Sequence, residues 1–240
     1  MGADASDTPA LESVQLHGLS VPIDRRLMSA PIIESLTTGR YEIGEARVLP
    51  RLIRPGERVV EIGAGIGVLT ALIARTGKAE RVAAIEASPL LQDYISQLFR
   101  LNGVEVELRQ ALVTPERSEP TATFYLHQDL WASSPARIKR RHQIGTLRVP
   151  VLSLAEVAQT WRPTLLVVDI EPFAAWTFAD APPHALAGAD FRPFERVLLE
   201  LKPKKFPPEA LVRVMAHFRA QGFVQDEVLS RDPLVLFKRS

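Results

Sequence analysis

The sequence predicts a doubly wound, Rossmann-like α/β sheet preceded by a hairpin and short helices, and three observations carry this. Arg58-Val59-Val60-Glu61-Ile62 is a short apolar run that breaks into Gly63-Ala64-Gly65-Ile66-Gly67 and then into an apolar-periodic segment, Val68 to Ala74. A buried parallel strand feeding a glycine-rich turn and a helix is how an open α/β sheet builds a nucleotide-type pocket. A second run, Arg81 to Ile85, closes with Glu86 about twenty residues past the glycines. Two further runs, Leu165–Ile170 and Val197–Leu201, also contain or meet acids at their ends and alternate with helical patterns, as in a parallel sheet covered on both faces.

The elements follow in order. Residues 1–11 are expected to be disordered and 12–240 to form a single domain. Val14 to Val21 alternates apolar and polar residues around Gly18, the pattern of a β-hairpin within Ser13–Ile23. Pro31–Leu36 starts a helix that ends near Gly39, Ile43–Ile53 has helical spacing, and Pro55-Gly56 turns the chain into the glycine motif's strand. Ser88-Pro89 reads as a cap and first helical residue, with the helix stopping at Asn102-Gly103. Strands are expected at Val104–Leu108, Ala111–Val113, Thr121–Leu126 and Leu147–Leu152, with Ser153 capping a short helix. Pro208–Gln221 places Leu211, Val214, Met215 and Phe218 on one helical face. Phe223–Leu229 and Leu234–Lys238 are expected to close the sheet as an antiparallel pair around Asp232-Pro233.

Composition bounds the function. The 240-residue chain has a formal net charge of +1, so no global field favours nucleic acid or an anionic membrane. It has no cysteine, which excludes disulfides, thiolate zinc sites and cysteine nucleophiles. No apolar stretch approaches the roughly 20 residues that span a bilayer. The first ten residues do not read as a signal peptide, and a cytoplasmic location is expected. Met1-Gly2-Ala3-Asp4-Ala5-Ser6 matches the loose myristoylation pattern, for which a disordered start is the plainer account.

The glycine spacing narrows the ligand. Dinucleotide sites favour G-x-G-x-x-G, where backbone approaches a pyrophosphate at a helix N-terminus. Here Gly63, Gly65 and Gly67 alternate, and Glu61 precedes them. An acid there repels a pyrophosphate and attracts an amine. The ligand that fits is S-adenosylmethionine, with its ammonium, sulfonium and ribose. Glu86, at the tip of the second strand, is placed to accept the ribose hydroxyl protons. A tight turn without ligand and an NAD-type site are the alternatives.

With the strand-end acids added, the chain resembles the FkbM-like family of S-adenosylmethionine-dependent methyltransferases. The resemblance runs through Gly39-Arg40-Tyr41-Glu42, Val60 to Gly67, Ile85 to Pro89, Phe124-Tyr125-Leu126, Ser133-Ser134, Val149 to Leu154, Val168-Asp169-Ile170-Glu171 and Leu199 to Pro203. It implies a class I methyltransferase core and O-methylation of a hydroxyl on a sugar, lipid or secondary metabolite. It also implies that Tyr41 and Glu42 close over the cofactor. Two positions depart from the family's usual D-x-E-G-x-E: Pro172 stands for the glycine and Ala174 for the second acid, and Lys202 replaces a frequent histidine. The cofactor half is therefore the better matched.

Ligands of open α/β sheets sit beyond the strands' carboxyl ends, where Glu61, Glu86, Asp169, Glu171 and Glu200 all fall. Asp169 and Glu171 are the expected catalytic pair, orienting an acceptor hydroxyl and taking its proton. Ala87 and Ala111 are expected beside the cofactor, and Trp131, Ser133 and Ser134 beside the acceptor. No residue cluster with firm ligand spacing supports a metal. The basic run Arg137-Ile138-Lys139-Arg140-Arg141-His142 reads as a solvated face or as a lid over an anionic acceptor. The expected partner is a small hydroxylated molecule, with no nucleic acid and no membrane, and a homodimer is the assembly considered. A cofactor-binding protein without catalysis and an NAD-dependent oxidoreductase are the competing functions.

Overall fold

The computed structural model describes residues 12–127, 133–135, 142–169, 189–201, 208–231 and 234–240. The chain opens with the expected hairpin: β1 (Ser13–Leu16) and β2 (Leu19–Pro22) pair antiparallel, with Leu16 opposite Leu19. The two residues between them, His17 and Gly18, both take positive φ, 49° and 82°, as a tight two-residue hairpin turn requires. Helices α1 (Ala30–Thr37) and α2 (Ile43–Leu52) follow, the first with its proline in the first turn, where the missing N–H costs nothing.

The core then alternates strand and helix: β3 (Arg58–Ile62), α3 (Val68–Arg75), β4 (Arg81–Glu86), α4 (Gln92–Leu101) and β5 (Glu107–Gln110). Strands β6 (Leu112–Thr114), β7 (Thr121–His127) and β8 (Gln143–Ser153) form a separate sheet in the order β6-β8-β7. After α5 (Leu154–Trp161) come β9 (Leu165–Val168), β10 (Arg196–Glu200), a helix α6 (Pro208–Ala220), β11 (Phe223–Gln225) and β12 (Leu234–Arg239).

The main sheet has seven strands in the order β11-β12-β10-β9-β3-β4-β5. β5, β4, β3, β9 and β10 run parallel, and β12 enters antiparallel between β10 and β11. The strands of this parallel core are apolar runs because both faces are covered. Val59, Val82, Leu165, Val167 and Leu198 pack with the hairpin and α1 to α4, while Val60, Ile62, Ile85, Leu166, Val168 and Leu199 pack with α5, α6, Phe191 and Phe194. Among the described residues, no helix is long and apolar enough to cross a membrane.

Three local expectations shift. Ser88 makes no side-chain cap bond; its N–H goes to the Glu86 carboxylate at 2.8 Å, and a 3₁₀ turn, Pro89–Leu91, precedes α4. The strand expected at Val104–Leu108 lies at Glu107–Gln110. β8 begins at Gln143 rather than Leu147, because its first residues pair with β7 across Gly145, opposite Leu126. Ser153 does cap α5, in a capping box: its Oγ accepts the Glu156 N–H at 3.1 Å and Glu156 Oε2 accepts the Ser153 N–H at 2.8 Å.

An ion pair is buried under the sheet's far end. Arg196, at the start of β10, pairs with Glu57, just before β3, and the two side chains are only 3% and 6% exposed. Arg196 also donates to the Leu52 carbonyl at 3.0 Å, and Glu57 accepts the Arg54 N–H at 2.7 Å. Arg196 Nε is buried without a partner, so the pair rests on these bonds; removing one partner leaves an uncompensated buried charge, typically about 3–5 kcal/mol.

Candidate functional site

The strand order reverses between β3 and β9. From β3 the chain steps outward through β4 to β5, and later returns to start the other side at β9. At such a switch point the loops leaving the carboxyl ends of adjacent strands diverge and leave a crevice. A cavity of about 870 Å³ lies here. Its walls include Gly63 and Gly65 after β3, Glu86 and Ala87 at the end of β4, Ala111 after β5, Asp169 after β9 and Glu200 at the end of β10. Tyr41 and Glu42, from the turn before α2, form the opposite wall.

The three glycines have different tasks. Gly65, at φ 56°, has no heavy atom within 4 Å of where a Cβ would stand, so its backbone faces open space in the cavity. Gly67 does not line the cavity. It begins α3 at φ 84°, and a Cβ there would stand 3.0 Å from Ile95 Cγ2 and 3.2 Å from Phe99 Cε1. It is needed for close packing of α3 on α4, which corrects its expected role at the cofactor.

Glu86 ties the turn to the next strand. Its Oε2 accepts the Gly65 N–H at 2.9 Å and its Oε1 the Ser88 N–H at 2.8 Å. Burial raises its pKa, and the Ser88, Gly65 and Ala87 N–H groups oppose that rise. A carboxylate oxygen has more than one acceptor site, so capacity remains for ribose hydroxyls.

Glu61 is a correction of another kind. It is 1% exposed, lies outside the cavity lining and accepts a hydrogen bond from the Thr70 hydroxyl of α3. Burial pushes its pKa up to about 7, against the Thr70 bond and with help from the Glu86 charge. The carboxyls that do face the cavity are Glu42, Glu45, Glu86, Asp169 and Glu200. Side chains alternate along a strand, and Glu200 continues the parity of Leu198, as Asp169 does that of Leu165 and Val167, on the face covered by the N-terminal extension. That extension brings Glu42 and Glu45 to meet them.

Two carboxyls of this wall are pushed toward their protonated forms. Burial first, then the Glu200 charge and a hydrogen bond to Glu200, raise Asp169 well above the usual carboxylate range. Burial, then the Glu61 and Glu45 charges, do the same to Glu42, opposed by its bond with the Tyr41 hydroxyl. Glu42 Oε2 is buried and has no hydrogen-bond partner. Arg40 is the cation among the described lining residues, and it already pairs with Glu34 at 2.7 Å. The wall therefore suits a positively charged ligand, and the open space at Gly65 suits one whose backbone contact is close. Both properties fit S-adenosylmethionine, with Glu86 toward its ribose and the Glu42 side toward its ammonium.

Of the residues expected beside the acceptor, Ser133 lines the cavity and its Oγ accepts the His127 N–H at 3.0 Å. Ser134 does not; its backbone pairs with Tyr125 at 2.8 and 3.0 Å and its side chain is turned into the protein, 6% exposed overall. His127 stacks on His142, with ring centroids 5.2 Å apart. Trp131, Glu171, Pro172, Ala174, Lys202 and most of the basic run lie outside the described residues. Glu45 was not foreseen; it sits in the first turn of an amphipathic helix, where an acid ordinarily faces water, yet it is buried.

Comparison with known proteins bears on the fold and the cofactor. Residues 35–120 match the family described as the TRM5/TYW2 methyltransferase domain. Two curated relatives are named ribosomal protein L11 methyltransferase. The protein from Symbiobacterium thermophilum is 38% identical over 65 residues, 27% of this chain and 21% of that protein. The protein from Thermosipho africanus is 28% identical over 104 residues, 40% of each. The chain thus spans well under half the length of these relatives. Among solved structures, a precorrin-6y C5,15-methyltransferase from Geobacter metallireducens superposes with a TM-score of 0.50 at 10% identity, covering 97% of this chain and 99% of the other. The TYW2 protein of M. jannaschii, solved with S-adenosylmethionine, gives 0.47 at 14% identity over 96% and 87%. A Streptococcus pneumoniae protein titled as a putative tRNA (m1A22) methyltransferase gives 0.43 at 11% identity over 81% and 68%.

The fold is that of the S-adenosylmethionine-dependent methyltransferases. The cofactor is S-adenosylmethionine, and the matched segment includes the Gly63–Gly67 turn and Glu86. The comparisons support this broad class and not the FkbM-like family specifically. They also overturn the expectation of a small hydroxylated acceptor with no nucleic acid. Both curated relatives are named for a ribosomal protein, a macromolecule and not a small hydroxylated molecule. The net charge of +1, on which that exclusion rested, averages over the whole surface and says nothing about a local acceptor site.

Proposed function

We propose that this chain is an S-adenosylmethionine-dependent methyltransferase that methylates a nitrogen on a macromolecule, in the first place an amine of a ribosomal protein. The acidic wall of Glu42, Asp169 and Glu200 supports this reading. Bound S-adenosylmethionine supplies an activated methyl carbon, so the protein's task is mainly to position the acceptor and manage one proton. Burial and the Glu200 charge raise Asp169 above the usual carboxylate range, and it is hydrogen-bonded to Glu200, so the ionised form that could take a proton from a neutral hydroxyl is disfavoured. A cationic amine entering the same wall changes that balance. It supplies the missing positive charge, favours the ionised carboxyls, and gives them its proton as its lone pair becomes free to attack. The names of the two curated relatives support a protein acceptor.

The second reading is an RNA base nitrogen, favoured by the basic sequence Arg137–Arg141 between β7 and β8. One experiment separates the two. Ribosomes and their free components are incubated with the protein and methyl-labelled S-adenosylmethionine, and the protein and RNA fractions are counted apart. Label in a protein, stable to nuclease and retained as a methylated amine after hydrolysis, is the expected result. Label in RNA alone selects the second reading. Tight cofactor binding with transfer to neither would return the chain to a non-catalytic binding protein, and nicotinamide nucleotide binding in its place to an oxidoreductase.

A further inference from the structure

We propose that His17, in the turn of the N-terminal hairpin, is a positioning residue for the cofactor cavity. The inference rests on the reading of that cavity as the S-adenosylmethionine site. His17 Nε2 lies 2.6 Å from the Tyr41 carbonyl oxygen. A carbonyl only accepts, so Nε2 carries a proton and donates it. His17 is 24 residues away from Tyr41 in the chain, and Tyr41 and Glu42 are among the residues with which the N-terminal extension lines the cavity.

The hairpin is a firm base for such a contact. Asn102, which ends α4, clasps Ser20 from both sides: its Oδ1 accepts the Ser20 N–H at 2.8 Å and its Nδ2 donates to the Ser20 carbonyl at 2.9 Å. The Tyr94 hydroxyl of α4 donates to the Pro22 carbonyl at 2.7 Å. Arg75, at the end of α3, donates to the Gly18 carbonyl. The hairpin is thereby fixed to α3 and α4, the same two helices that Gly67 packs together behind the glycine turn.

The segment it holds needs holding. Glu42 has left-handed backbone angles, φ 50° and ψ 32°, at the start of α2. For a residue with a side chain this conformation is unfavourable and persists only where its surroundings impose it. The reward for imposing it is the position of Glu42, whose Oε2 is buried without a partner beside Asp169 and Glu200 in the cavity wall. His17 thus couples the body that carries the glycine turn to the wall that faces it. It keeps the width of the cavity fixed, and with it the unpaired carboxyl oxygen available to the cofactor's ammonium.

The test uses two readouts on the whole chain. In the protein without cofactor, hydrogen exchange of the amides from 41 to 46 should speed up by at least about tenfold in His17→Ala. His17→Gln, whose amide offers a donor at a similar reach, should restore most of the protection. In the second readout, calorimetry with S-adenosylmethionine should show affinity falling at least about fivefold in His17→Ala and recovering in His17→Gln, with the melting temperature of the two variants alike. Unchanged exchange in His17→Ala overturns the clamp whatever the cofactor does. Faster exchange with unchanged affinity overturns the link to the cavity. A wild-type protein that binds no S-adenosylmethionine overturns the cofactor reading and this inference with it, and the exchange data then show separately whether the hairpin bond is real.

Discussion

Glu86 holds Gly65. The carboxylate at the end of β4 accepts the backbone N–H of the glycine that follows β3, at 2.9 Å, so the acid expected to read the cofactor's ribose also fixes the turn beside it. A single side chain shapes the site and serves it.

Glu86→Gln should therefore weaken S-adenosylmethionine by more than a lost ribose contact. The amide has one accepting oxygen, and its NH₂ must face an N–H donor at either Gly65 or Ser88. Hydrogen bonds to a charged group contribute about 1.5–3 kcal/mol each, and a loss in that range or above it is expected in calorimetry. Unaltered cofactor affinity in a folded variant would remove Glu86 from the site.

Gly65→Ala and Gly67→Ala should fail in opposite ways. Both positions are left-handed, at 56° and 84°, and both variants carry the backbone cost of about 1–2 kcal/mol. At Gly65 the added methyl points into empty cavity space, so cofactor affinity should fall at least about tenfold. At Gly67 it meets Ile95 and Phe99, and the overpacking should cost about 1–3 kcal/mol more in urea denaturation. If Gly67→Ala proved the more damaging to binding and the less damaging to stability, the division of roles would be wrong.

Glu61 makes stability depend on pH. Its folded pKa is raised to about 7 from an ordinary 4.5, so between those values the folded chain binds more protons than the unfolded one. Its contribution is fully present below about pH 4.5 and is lost as pH rises through 7, on the order of 3 kcal/mol in all. Glu61→Gln keeps an acceptor for the Thr70 hydroxyl and removes the titration. The fall in unfolding free energy from pH 5 to pH 8 should be smaller in the variant, and an identical fall in both proteins would exclude Glu61 as its source.

Asp169→Asn should lower turnover on a verified acceptor by at least about tenfold, within the range typical of a lost proton-transfer group, with cofactor affinity nearly unchanged. The amide can still donate to Glu200, so the wall keeps its shape and loses its chemistry. Full activity in this variant would move the search to His127, which bonds to Ser133 at the cavity's edge.

The sheet was legible because its strands are buried on both faces. Val59-Val60, Val82 to Ile85, Leu165 to Val168 and Val197 to Leu199 are uninterrupted apolar runs, and their order with the helices between them leaves few topologies. The direction of Glu61 was also within reach: it shares a face with Val59, under α3, while its neighbour Ile62 lines the cavity. The acidic wall was legible only from one side. Strand ends mark Glu86, Asp169 and Glu200, but Glu42 and Glu45 come from a helix that docks onto the sheet, and no local pattern states where a helix will dock. The acceptor escaped for a related reason. Cofactor recognition sits in contiguous motifs, whereas the acceptor's surroundings are assembled from separate loops.

The buried pair of Glu57 and Arg196 ties the two halves of this chain together. Glu57 lies within the stretch that other methyltransferases share, residues 35–120, and Arg196 lies far outside it. The shared stretch also leaves β3 without β9 on one side. Detached, it would carry a stranded carboxylate and an open strand edge. The portable-looking cofactor half of this chain is thus no free-standing module: it depends on the second half for the arginine that matches its acid.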